Sequence, residues 1–361
     1  MPSIISRRQL LLSLPALAAA RRVIAQTANP PIRVRALNHM TLAVSDPKRS
    51  VEFYQGLFGM PVQARQGATT LLRIGAGPQF LALSQTAANA APAINHFCLT
   101  VDGFNVDRIL KVLADRGVTR SDTAGSSNAG GGGSNGGPMK SRVRMRGPEA
   151  GGAKEGTPEL YFGDPDGIVV QLQDVSYCGG AGVLGNVCAA TPEPSPKKGL
   201  LAVRDLSHFT INVANAERSN AFYQELFGLK IQAHQGPAPL LGVGGGGVQF
   251  LMFTGGAGVP RGGANAAPPR PPRIDHVCLS MDGFEPEKIL KTLETYGIKP
   301  RGTAPGPAAP LVSYVSMRME NRGGAPGGTP ELYFTDPDGI PIQLQDVSYC
   351  GGGGYLGSVC A

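Results

Sequence analysis

The sequence predicts an α+β protein made of two tandem domains, and three observations support this prediction. First, a stretch of 25 residues occurs twice, at 156–180 and 328–352, and the two copies differ at only three positions. Second, each copy joins two apolar runs through Asp-Pro-Asp-Gly, in which Pro presets φ and Gly accepts a positive φ, so each copy predicts a β-hairpin. Third, the segments that precede the hairpins also recur in the same order, which indicates a duplicated domain.

The first repeating unit begins with a strand at 37–46, where apolar and polar residues alternate. Asp46 and Pro47 then favour a helix, with Asp at the N-cap and Pro at the first helical position. An apolar stripe at helical spacing continues to Phe58, and Gly59 ends the helix. The strands predicted to complete this β-α-β-β-β unit are 61–65, 69–74 and 79–84.

A second unit completes each domain. It is predicted to contain a strand at 94–101, a helix at about 105–116, a strand at 141–147 and the hairpin at 156–180. The Gly-rich stretch 125–137 cannot pack a core and predicts a mobile loop. The whole pattern returns from residue 206, so we expect four units in two domains. The predicted domains are 32–188 and 203–361, joined by a Pro-rich linker at 189–202.

Residues 1–25 have the features of an export signal. They carry four arginines and no acidic residue, and a short apolar segment ends near small residues that allow cleavage after Ala25. Arg7 and Arg8 resemble the twin-arginine signal, which implies export of an already folded protein to the periplasm or out of the cell. An ordinary secretory signal with two chance arginines is the alternative.

The charge of the remaining chain is modest. The net charge is +7, and removing the four arginines of the signal leaves +3, scattered along the sequence. Nucleic acid is therefore not an expected partner. The sequence contains no apolar run of the roughly 18 residues that a membrane span needs. The oligomeric state is left open, a homo-oligomer included.

Four of the five histidines occupy equivalent positions in the repeats, His39 with His208 and His96 with His276. Each domain thus has one His in the first strand of each of its units, and these strands can lie side by side. Neutral His is the commonest protein ligand for metals such as Fe, Mn, Zn or Ni. We therefore expect a divalent-metal site in each domain, whereas a packing role in the core is the alternative for each His.

These motifs resemble a known family. A strand with His, then RS-x-x-FY-x-x-LFG, a second strand with His, and DPDG with a polar residue seven positions after its first Asp resemble the vicinal oxygen chelate superfamily. This superfamily includes glyoxalases, extradiol dioxygenases, fosfomycin-modifying enzymes and bleomycin-resistance proteins. The resemblance covers nearly all of 32–180 and 203–352. It implies that each domain forms a cupped, mostly antiparallel sheet around a cavity that often holds a divalent metal.

The third ligand departs from the family pattern. The resemblance implies a Glu ligand seven residues after the first Asp of DPDG, but Gln171 and Gln343 stand there. An amide oxygen can coordinate a metal but brings no charge, so binding is expected to be weaker and the ion more Lewis acidic. Gln173 and Gln345 share the same strand face and are predicted to bind substrate or metal-bound water. A pair of buried amides that satisfy each other is the alternative.

Glu159 and Glu331 are candidates to replace the missing carboxylate. If Asp164 and Gly167 close a two-residue turn, Leu160 faces Gln171 and Glu159 points outward. A slip of the register by one residue would bring Glu159 inward. We expect the outward orientation.

The six cysteines fall into two groups. Four flank the Gly-rich tails of the hairpins, and export makes disulfides possible, so we expect the bridges Cys178–Cys188 and Cys350–Cys360. Free thiols that cap the cavity are the alternative. Cys98 and Cys278 follow His96 and His276 by two residues and are predicted to be buried packing residues, with a thiolate ligand as the alternative.

The sequence thus predicts an exported, divalent-metal-dependent enzyme that acts on a small oxygen-bearing substrate by dioxygenase-like or lyase/isomerase chemistry. The stretches 79–84 and 249–254 lack the Glu that the resemblance implies for glyoxalase I, which argues against that reaction. No acid, base or nucleophile can be assigned from the sequence. The alternative function is a metal-free protein that binds and sequesters a small molecule, as bleomycin-resistance proteins do. A structural role in the envelope is a third hypothesis, supported only by the Gly-rich loops.

Overall fold

The computed structural model describes residues 30–121, 137–255, 271–303 and 308–360. The predicted export signal at 1–25 and nearly all of the Gly-rich loop at 125–137 lie outside these residues. Within the described ranges, none of the helices has the length and apolar character that crossing a membrane requires.

Each domain contains nine strands and two α-helices in the described residues. In the first domain they are β1 (Val34–Val44), α1 (Pro47–Phe58), β2 (Val62–Gln66), β3 (Thr69–Arg73), β4 (Phe80–Gln85), β5 (Ala93–Val101), α2 (Val106–Ala114), β6 (Thr119–Arg120), β7 (Lys140–Arg146), β8 (Thr157–Gly163) and β9 (Val169–Asp174). In the second domain they are β10 (Val203–Asn212), α3 (Ala216–Phe227), β11 (Ile231–Gln235), β12 (Ala238–Gly242), β13 (Phe250–Thr254), β14 (Arg273–Met281), α4 (Pro286–Thr295), β15 (Lys299–Pro300), β16 (Val312–Arg318), β17 (Thr329–Thr335) and β18 (Pro341–Asp346).

Each set of nine strands forms one cupped, mostly antiparallel sheet, as predicted. The order in the first domain is β2-β3-β4-β1-β5-β9-β8-β7-β6, and the second domain repeats it. The two units of a domain meet where β1 pairs antiparallel with β5. The first strands of the two units are therefore neighbours at the centre of the sheet, which is the arrangement that the histidine pattern requires.

The helices begin and end where the sequence predicts. The Asp46 side chain accepts a hydrogen bond from the backbone N–H of Arg49 at 3.0 Å, and Gly59 ends α1 with φ of 67°. Asn215 caps α3 in the same way, with its oxygen 2.9 Å from the backbone nitrogen of Arg218. The apolar stripes of both helices pack on the sheet faces that point away from the histidines.

One hydrophobic core joins the two domains. A single cluster of buried side chains contains residues from both sheets and from all four described helices. Phe97 of β5 stacks on Phe209 of β10 with ring centroids 5.0 Å apart. Phe162 of β8 packs against Phe227 of α3 at 6.3 Å. The concave faces that carry the histidines are opposite to this shared core.

The DPDG turns lock the domains together by contacts that the sequence did not predict. Asp166 of the first turn accepts hydrogen bonds from the backbone nitrogen of Ala214 at 3.2 Å and from the Arg218 guanidinium at 2.6 Å, at the N-terminus of α3. Asp338 of the second turn accepts from the Arg49 guanidinium at 2.7 Å, at the N-terminus of α1. Negative charge is favourable at a helix N-terminus, so each domain stabilises the other domain's first helix.

The first Asp of each turn is buried and also reaches the other domain. Asp164 accepts from the backbone nitrogens of Asp166 and Ile168 at 2.8 Å and 2.9 Å, which holds the turn, and from the Tyr223 hydroxyl at 3.2 Å. Asp336 and Tyr54 form the equivalent contact at 3.2 Å. Burial raises the pKa of each of these aspartates to about 6, even though the hydrogen bonds oppose the shift.

A disulfide staples the tail of each hairpin into a compact loop. Cys178 and Cys188 are bridged with Cα atoms 6.3 Å apart, and Cys350 and Cys360 are bridged with the same separation, which confirms both predicted pairs. We call residues 177–188 and 349–360 the stapled loops. Cys98 is buried without solvent exposure and free of any disulfide, as the packing hypothesis predicts, and so is Cys278.

Replacing Asp166 by Ala is expected to lower the free energy of unfolding by about 1–3 kcal/mol, because Arg218 and the end of α3 lose their acceptor. Chemical denaturation measures this change. The control is Asp282→Ala, since the Arg204–Asp282 pair lies on the surface with both side chains more than half exposed. That control should change stability by less than about 0.5 kcal/mol. Equal effects of the two variants would contradict the structural role of Asp166.

Asp164 is expected to make stability depend on pH. Its folded pKa of about 6 lies above its ordinary value of 3.8, so its contribution is fully present below about pH 3.8 and is lost as pH rises through about 6. The difference in unfolding free energy between wild type and Asp164→Asn should therefore fall by up to about 3 kcal/mol from pH 4 to pH 7. Denaturant titrations at several pH values measure it. A pH-independent difference would contradict the buried, ionisable state.

Thiol labelling should distinguish the two groups of cysteines. The native protein is expected to react with an alkylating reagent at no cysteine before reduction, and at the four bridge cysteines after reduction. Cys98 and Cys278 should react only after unfolding, because they have no solvent exposure. Peptide mass spectrometry identifies the labelled sites. Labelling of Cys98 in the folded protein would show that the concave face is open.

Candidate metal centre

The pairing of three strands places both histidines of a domain beside one glutamine. In the antiparallel pair of β1 and β5, Thr41 lies opposite His96 and His39 lies opposite Cys98. In the parallel pair of β5 and β9, Cys98 lies opposite Gln171. Side chains alternate along strands, so His39, His96 and Gln171 project from the same concave face. Domain 2 repeats this register with His208, His276 and Gln343.

An irregularity in β1 sets the direction of His39. The register between β1 and β5 shifts between Leu37 and His39, and β10 shifts at the equivalent place, between Leu206 and His208. Such bulges redirect side chains and are common beside functional sites. Leu37 can therefore join the shared core while His39, two residues later, points into the concave face. The alternation pattern of the sequence did not reveal this shift.

The six predicted metal-site residues meet in two clusters. His39 Nε2 lies 3.0 Å from Gln171 Oε1, and His96 Nε2 lies 3.1 Å from the same oxygen. The rings of His39 and His96 have centroids 5.7 Å apart. In domain 2, His208 Nε2 lies 3.0 Å from Gln343 Oε1, and the His208 and His276 rings are 5.8 Å apart. Domain 1 thus directs two imidazole nitrogens and an amide oxygen at one point. Domain 2 brings the equivalent residues together, with His208 in contact with Gln343 and the His276 ring beside that of His208.

Burial keeps the two imidazoles of domain 1 neutral. His39 and His96 are 3% and 5% exposed, and Gln171 is 1% exposed. Burial, together with the neighbouring His96, lowers the pKa of His39 well below its usual value. Burial also lowers the pKa of His96 to about 4, with Arg142 and Arg144 adding to the effect. Neutral imidazole is the form that coordinates a metal ion.

The hydrogen bonds of Asn38 determine which nitrogen of His39 carries the proton. Asn38 donates through Nδ2 to the backbone oxygen of Tyr177 at 3.0 Å, so its Oδ1 faces His39 Nδ1 at 2.8 Å. We assign the proton to Nδ1, which leaves the Nε2 lone pair directed at Gln171 Oε1. Phe80 stacks on the His39 ring at 4.3 Å and holds its orientation. Two acceptors therefore face each other at 3.0 Å.

Gln171 completes a donor set that fits a divalent ion. Two ligands about 2.1 Å from one octahedral ion are about 3.0 Å apart, which matches the separations in this cluster. A cation between the lone pairs would remove the repulsion between the facing acceptors. The described residues contain no group of three His, Cys, Asp or Glu side chains that could hold a metal, because the third member here is an amide.

The second glutamine of each hairpin lies beside the first but does not pair with it. Gln173 Nε2 donates to the backbone oxygen of Pro158 at 3.4 Å. Gln173 Oε1 and Gln171 Nε2 are buried and have no hydrogen-bond partner among the described residues, and the same atoms of Gln345 and Gln343 are equally unpaired. The alternative of two amides that satisfy each other is therefore wrong. The concave face of each domain therefore has one glutamine oxygen and one glutamine NH2 group without a hydrogen-bond partner among the described residues.

The predicted outward orientation of Glu159 is wrong. Tyr161, not Leu160, lies opposite Gln171, so the register differs by one residue from the one expected for a two-residue turn. The turn is longer because Asp164 N bonds to Ile168 O at 3.0 Å. Glu159 therefore points into the concave face and is 1% exposed. Glu331 does the same in domain 2 and is 5% exposed.

Glu159 does not replace the missing ligand, because other groups occupy its oxygens. Arg146, which is 1% exposed, donates through Nε to Glu159 Oε1 at 2.7 Å. The hydroxyls of Tyr177 and Tyr161 donate to the same carboxylate at 3.1 Å and 3.2 Å. Sequence reasoning missed Arg146. The signal was present, since Arg318 stands at the equivalent place while Arg142 and Arg144 are replaced in domain 2.

The stapled loop covers the concave face. Side chains of the cup donate to its backbone oxygens, with Gln63 bonded to Cys178 at 2.7 Å and Arg146 bonded to Gly180 at 2.8 Å. A side chain at Gly179, whose φ is 80°, would collide with Leu71. Tyr177 places its ring 5.7 Å from that of His39. The site is therefore closed by a loop that the disulfide and these hydrogen bonds hold in place.

The thiol of Cys98 lies 3.7 Å from the backbone oxygen of Leu99 and can donate to it. Burial raises the pKa of its thiol well above the usual value, with Glu159 adding to the effect, so the thiol stays protonated. Burial raises the pKa of the Cys278 thiol in the same way. His234, the fifth histidine, is exposed on β11, away from the cluster.

Comparisons with solved structures support the fold. A halotolerant catechol dioxygenase, BphC, is 13% identical over 89% of this chain and 87% of its own, with a TM-score of 0.52. The Mn(II)-bound glyoxalase from Novosphingobium aromaticivorans is 15% identical over 87% and 82%, with a TM-score of 0.53. The 2,3-dioxygenase LapB from Pseudomonas sp. KL28 is 14% identical over 86% and 92%, with a TM-score of 0.53.

At these identities the likeness shows a shared fold and not a shared reaction. No curated protein sequence matches the chain. The model of one protein family, however, matches twice, at residues 36–172 and 205–344, and each match spans a pair of the repeating units and both histidines. The chain therefore belongs to the Glyoxalase/Bleomycin resistance protein/Dioxygenase superfamily.

Proposed function

We propose that this chain is an exported, divalent-metal-dependent enzyme with one site in each domain, acting on a small oxygen-bearing molecule by dioxygenase-like or lyase/isomerase chemistry. The observation that carries the proposal is the convergence of His39 Nε2, His96 Nε2 and Gln171 Oε1 within 3.0–3.1 Å. Membership of the superfamily supports it, since a catechol dioxygenase and a Mn(II)-bound glyoxalase share the fold.

In this proposal His39, His96 and Gln171 hold one Fe, Mn, Zn or Ni ion, and His208, His276 and Gln343 hold another. The bound ion supplies Lewis acidity toward neighbouring oxygens of the substrate, undiminished by any ligand charge because Gln is neutral. Asn38 fixes the tautomer of His39 through its 2.8 Å contact with Nδ1. Gln173 offers its unpaired Oε1 to a hydroxyl of the substrate.

The stapled loop has a role in the same proposal. It keeps the ligand residues at 5% exposure or less in domain 1, which excludes bulk water from the site. Tyr161 and Tyr177 stay protonated, because burial and Glu159 raise the pKa of both hydroxyls. Their hydroxyls therefore remain donors to Glu159, and their rings line the proposed site beside His96 and His39.

Export is part of the proposal and has two sources of support. The twin-arginine-like pair Arg7 and Arg8 stands before an apolar segment. The bridges Cys178–Cys188 and Cys350–Cys360 are typical of oxidising compartments such as the periplasm.

A metal-free binding protein is the second candidate, and the orientation of one amide favours it. If the amide of Gln171 is turned over, its NH2 group donates to His39 Nε2 and His96 Nε2 at once. Its oxygen then takes the unpaired position. The cluster would in that case be a neutral polar floor for a small ligand, and no ion would be needed.

Calorimetric titration with Mn(II), Fe(II), Zn(II) and Ni(II) decides between the two candidates. The wild-type protein without its signal is expected to bind an ion, and His39→Ala with His208→Ala should abolish binding, because each site loses one of three ligands. Gln171→Glu with Gln343→Glu should tighten binding ten-fold or more, since the new charge lies about 2 Å from the cation.

His234→Ala is the matched control for these variants, because this histidine is exposed and lies outside both clusters. It should bind ions as the wild type does. Absence of binding to the wild type at micromolar concentrations, with folding intact by circular dichroism, would contradict the metal proposal and favour the metal-free candidate.

A further inference from the structure

The Nδ1 atoms of the histidines contact different side chains in the two domains. The Nδ1 atom of His39 contacts Asn38 Oδ1 at 2.8 Å, and that of His96 contacts Asn95 Oδ1 at 2.8 Å. In domain 2, His208 Nδ1 contacts the Ser207 hydroxyl at 3.1 Å. His276 Nδ1 lies 3.1 Å from a carboxylate oxygen of Asp275. Three of these four contacts are made by neutral groups, and one is made by a charged group.

Asp275 is held in place by residues that domain 1 lacks. Its Oδ1 accepts hydrogen bonds from Asn212 Nδ2 at 2.9 Å and from the Arg273 guanidinium at 3.1 Å, and its Oδ2 lies 3.1 Å from His276 Nδ1. Asn212 and Arg273 face each other across β10 and β14. The equivalent cross-strand pair in domain 1 is Ala43 with Ala93. Domain 2 therefore has both the carboxylate that contacts its histidine and the two residues that hold this carboxylate, whereas domain 1 has none of the three.

Domain 1 differs also in the positive charge near its histidine. Arg142 lies over the Tyr161 ring at 5.1 Å, and that ring is 5.4 Å from the His96 ring. Tyr314 replaces Arg142 in domain 2 and stacks on Tyr333 at 5.1 Å. Arg301 lies over Tyr314, so this cation is one ring further from His276 than Arg142 is from His96. The Arg273 guanidinium in domain 2 is paired with Asp275.

A carboxylate on Nδ1 of a metal-binding histidine has known consequences. It fixes the proton on Nδ1, orients the ring and makes Nε2 a stronger donor, and removing such a partner typically costs 10–100-fold in metal affinity. It also brings a negative charge, which Asp275 shares with the Arg273 guanidinium, to a site whose proposed ligands are neutral. Asn95 orients His96 but brings no charge, and Arg142 opposes the approach of a cation.

We propose that the two sites of this chain are unequal, and that Asp275 is a positioning residue that makes the domain 2 site bind a divalent ion more tightly than the domain 1 site. This inference rests on the proposed function, because it presumes that both clusters bind ions. It predicts that metal at limiting concentration fills domain 2 first.

The test is calorimetric titration of the full chain without its signal, with Mn(II) as the probe at one fixed pH. Two classes of site are expected, with affinities about 10–100-fold apart. His208→Ala should remove the tight class and His39→Ala the weak class, which assigns each class to a domain.

Exchanging the residues that contact Nδ1 of the second histidine, Asp275 and Asn95, then tests the role of Asp275. Asp275→Asn should weaken the tight class by about 10–100-fold, and Asn95→Asp should strengthen the weak class in domain 1. The gain in domain 1 is the decisive result, because a purely structural role of Asp275 in domain 2 would not produce it. Arg273→Ala is the control, since it removes one contact of Asp275 and keeps the carboxylate–histidine pair; it should weaken binding less than Asp275→Asn.

The possible failures are distinct. Two sites of equal affinity in the wild type, a tight class that disappears in His39→Ala, or an unchanged weak class in Asn95→Asp would each overturn the inequality while leaving the proposed function intact. Absence of any bound Mn(II), Fe(II), Zn(II) or Ni(II) in the wild type would overturn the proposed function, and the inequality with it.

Discussion

The buried ion pair between Arg146 and Glu159 is the constraint on which the site depends. Two charges without solvent need all their hydrogen bonds satisfied, because an unpaired buried charge is strongly destabilising. Arg146 meets this need with Glu159 at 2.7 Å and the stapled-loop oxygen of Gly180 at 2.8 Å. Glu159 meets it with the hydroxyls of Tyr177 and Tyr161. The pair therefore ties strand, hairpin and stapled loop into one unit.

This constraint explains why a carboxylate so close to the histidines is not a ligand. The Tyr177 ring lies 5.7 Å from the His39 ring, and the Tyr161 ring lies 5.4 Å from the His96 ring. Because both tyrosine hydroxyls bind Glu159, one tyrosine stands between this carboxylate and each histidine. If Glu159 moved to coordinate an ion, the buried guanidinium of Arg146 would lose its carboxylate partner. In the proposed metal site the ligands are therefore neutral, and Gln171 offers an oxygen at the place where the family resemblance implies a carboxylate.

The sequence predicted the parts of this protein that repetition and short-range patterns control. The helix from Pro47 to Phe58 follows from its caps and its stripe. The convergence of His39 and His96 follows from their places in the first strands of two units. The orientation of Glu159 could not be predicted, because it depends on one residue of turn length, which the Asp164 hydrogen bonds decide. The contact of Asp166 with the N-terminus of α3 could not be predicted either, since this contact joins segments about 50 residues apart in the sequence.

Comparison of the two halves separates what the fold needs from what the site can vary. The histidines, the glutamines and the Arg–Glu pair occur in both halves. The contact of the first histidine with the glutamine and the contact between Arg and Glu have nearly the same lengths in the two halves. The residues around them change in charge, with Asn95 against Asp275 and Arg142 against Tyr314. Because the histidine and glutamine side chains of both clusters are neutral, the charge of these neighbours is the main electrostatic difference that a cation bound in the proposed sites would experience. Duplication has therefore kept the residues of the cluster and left their electrostatic environment free to differ, which is the condition under which two copies of one site can acquire different affinities.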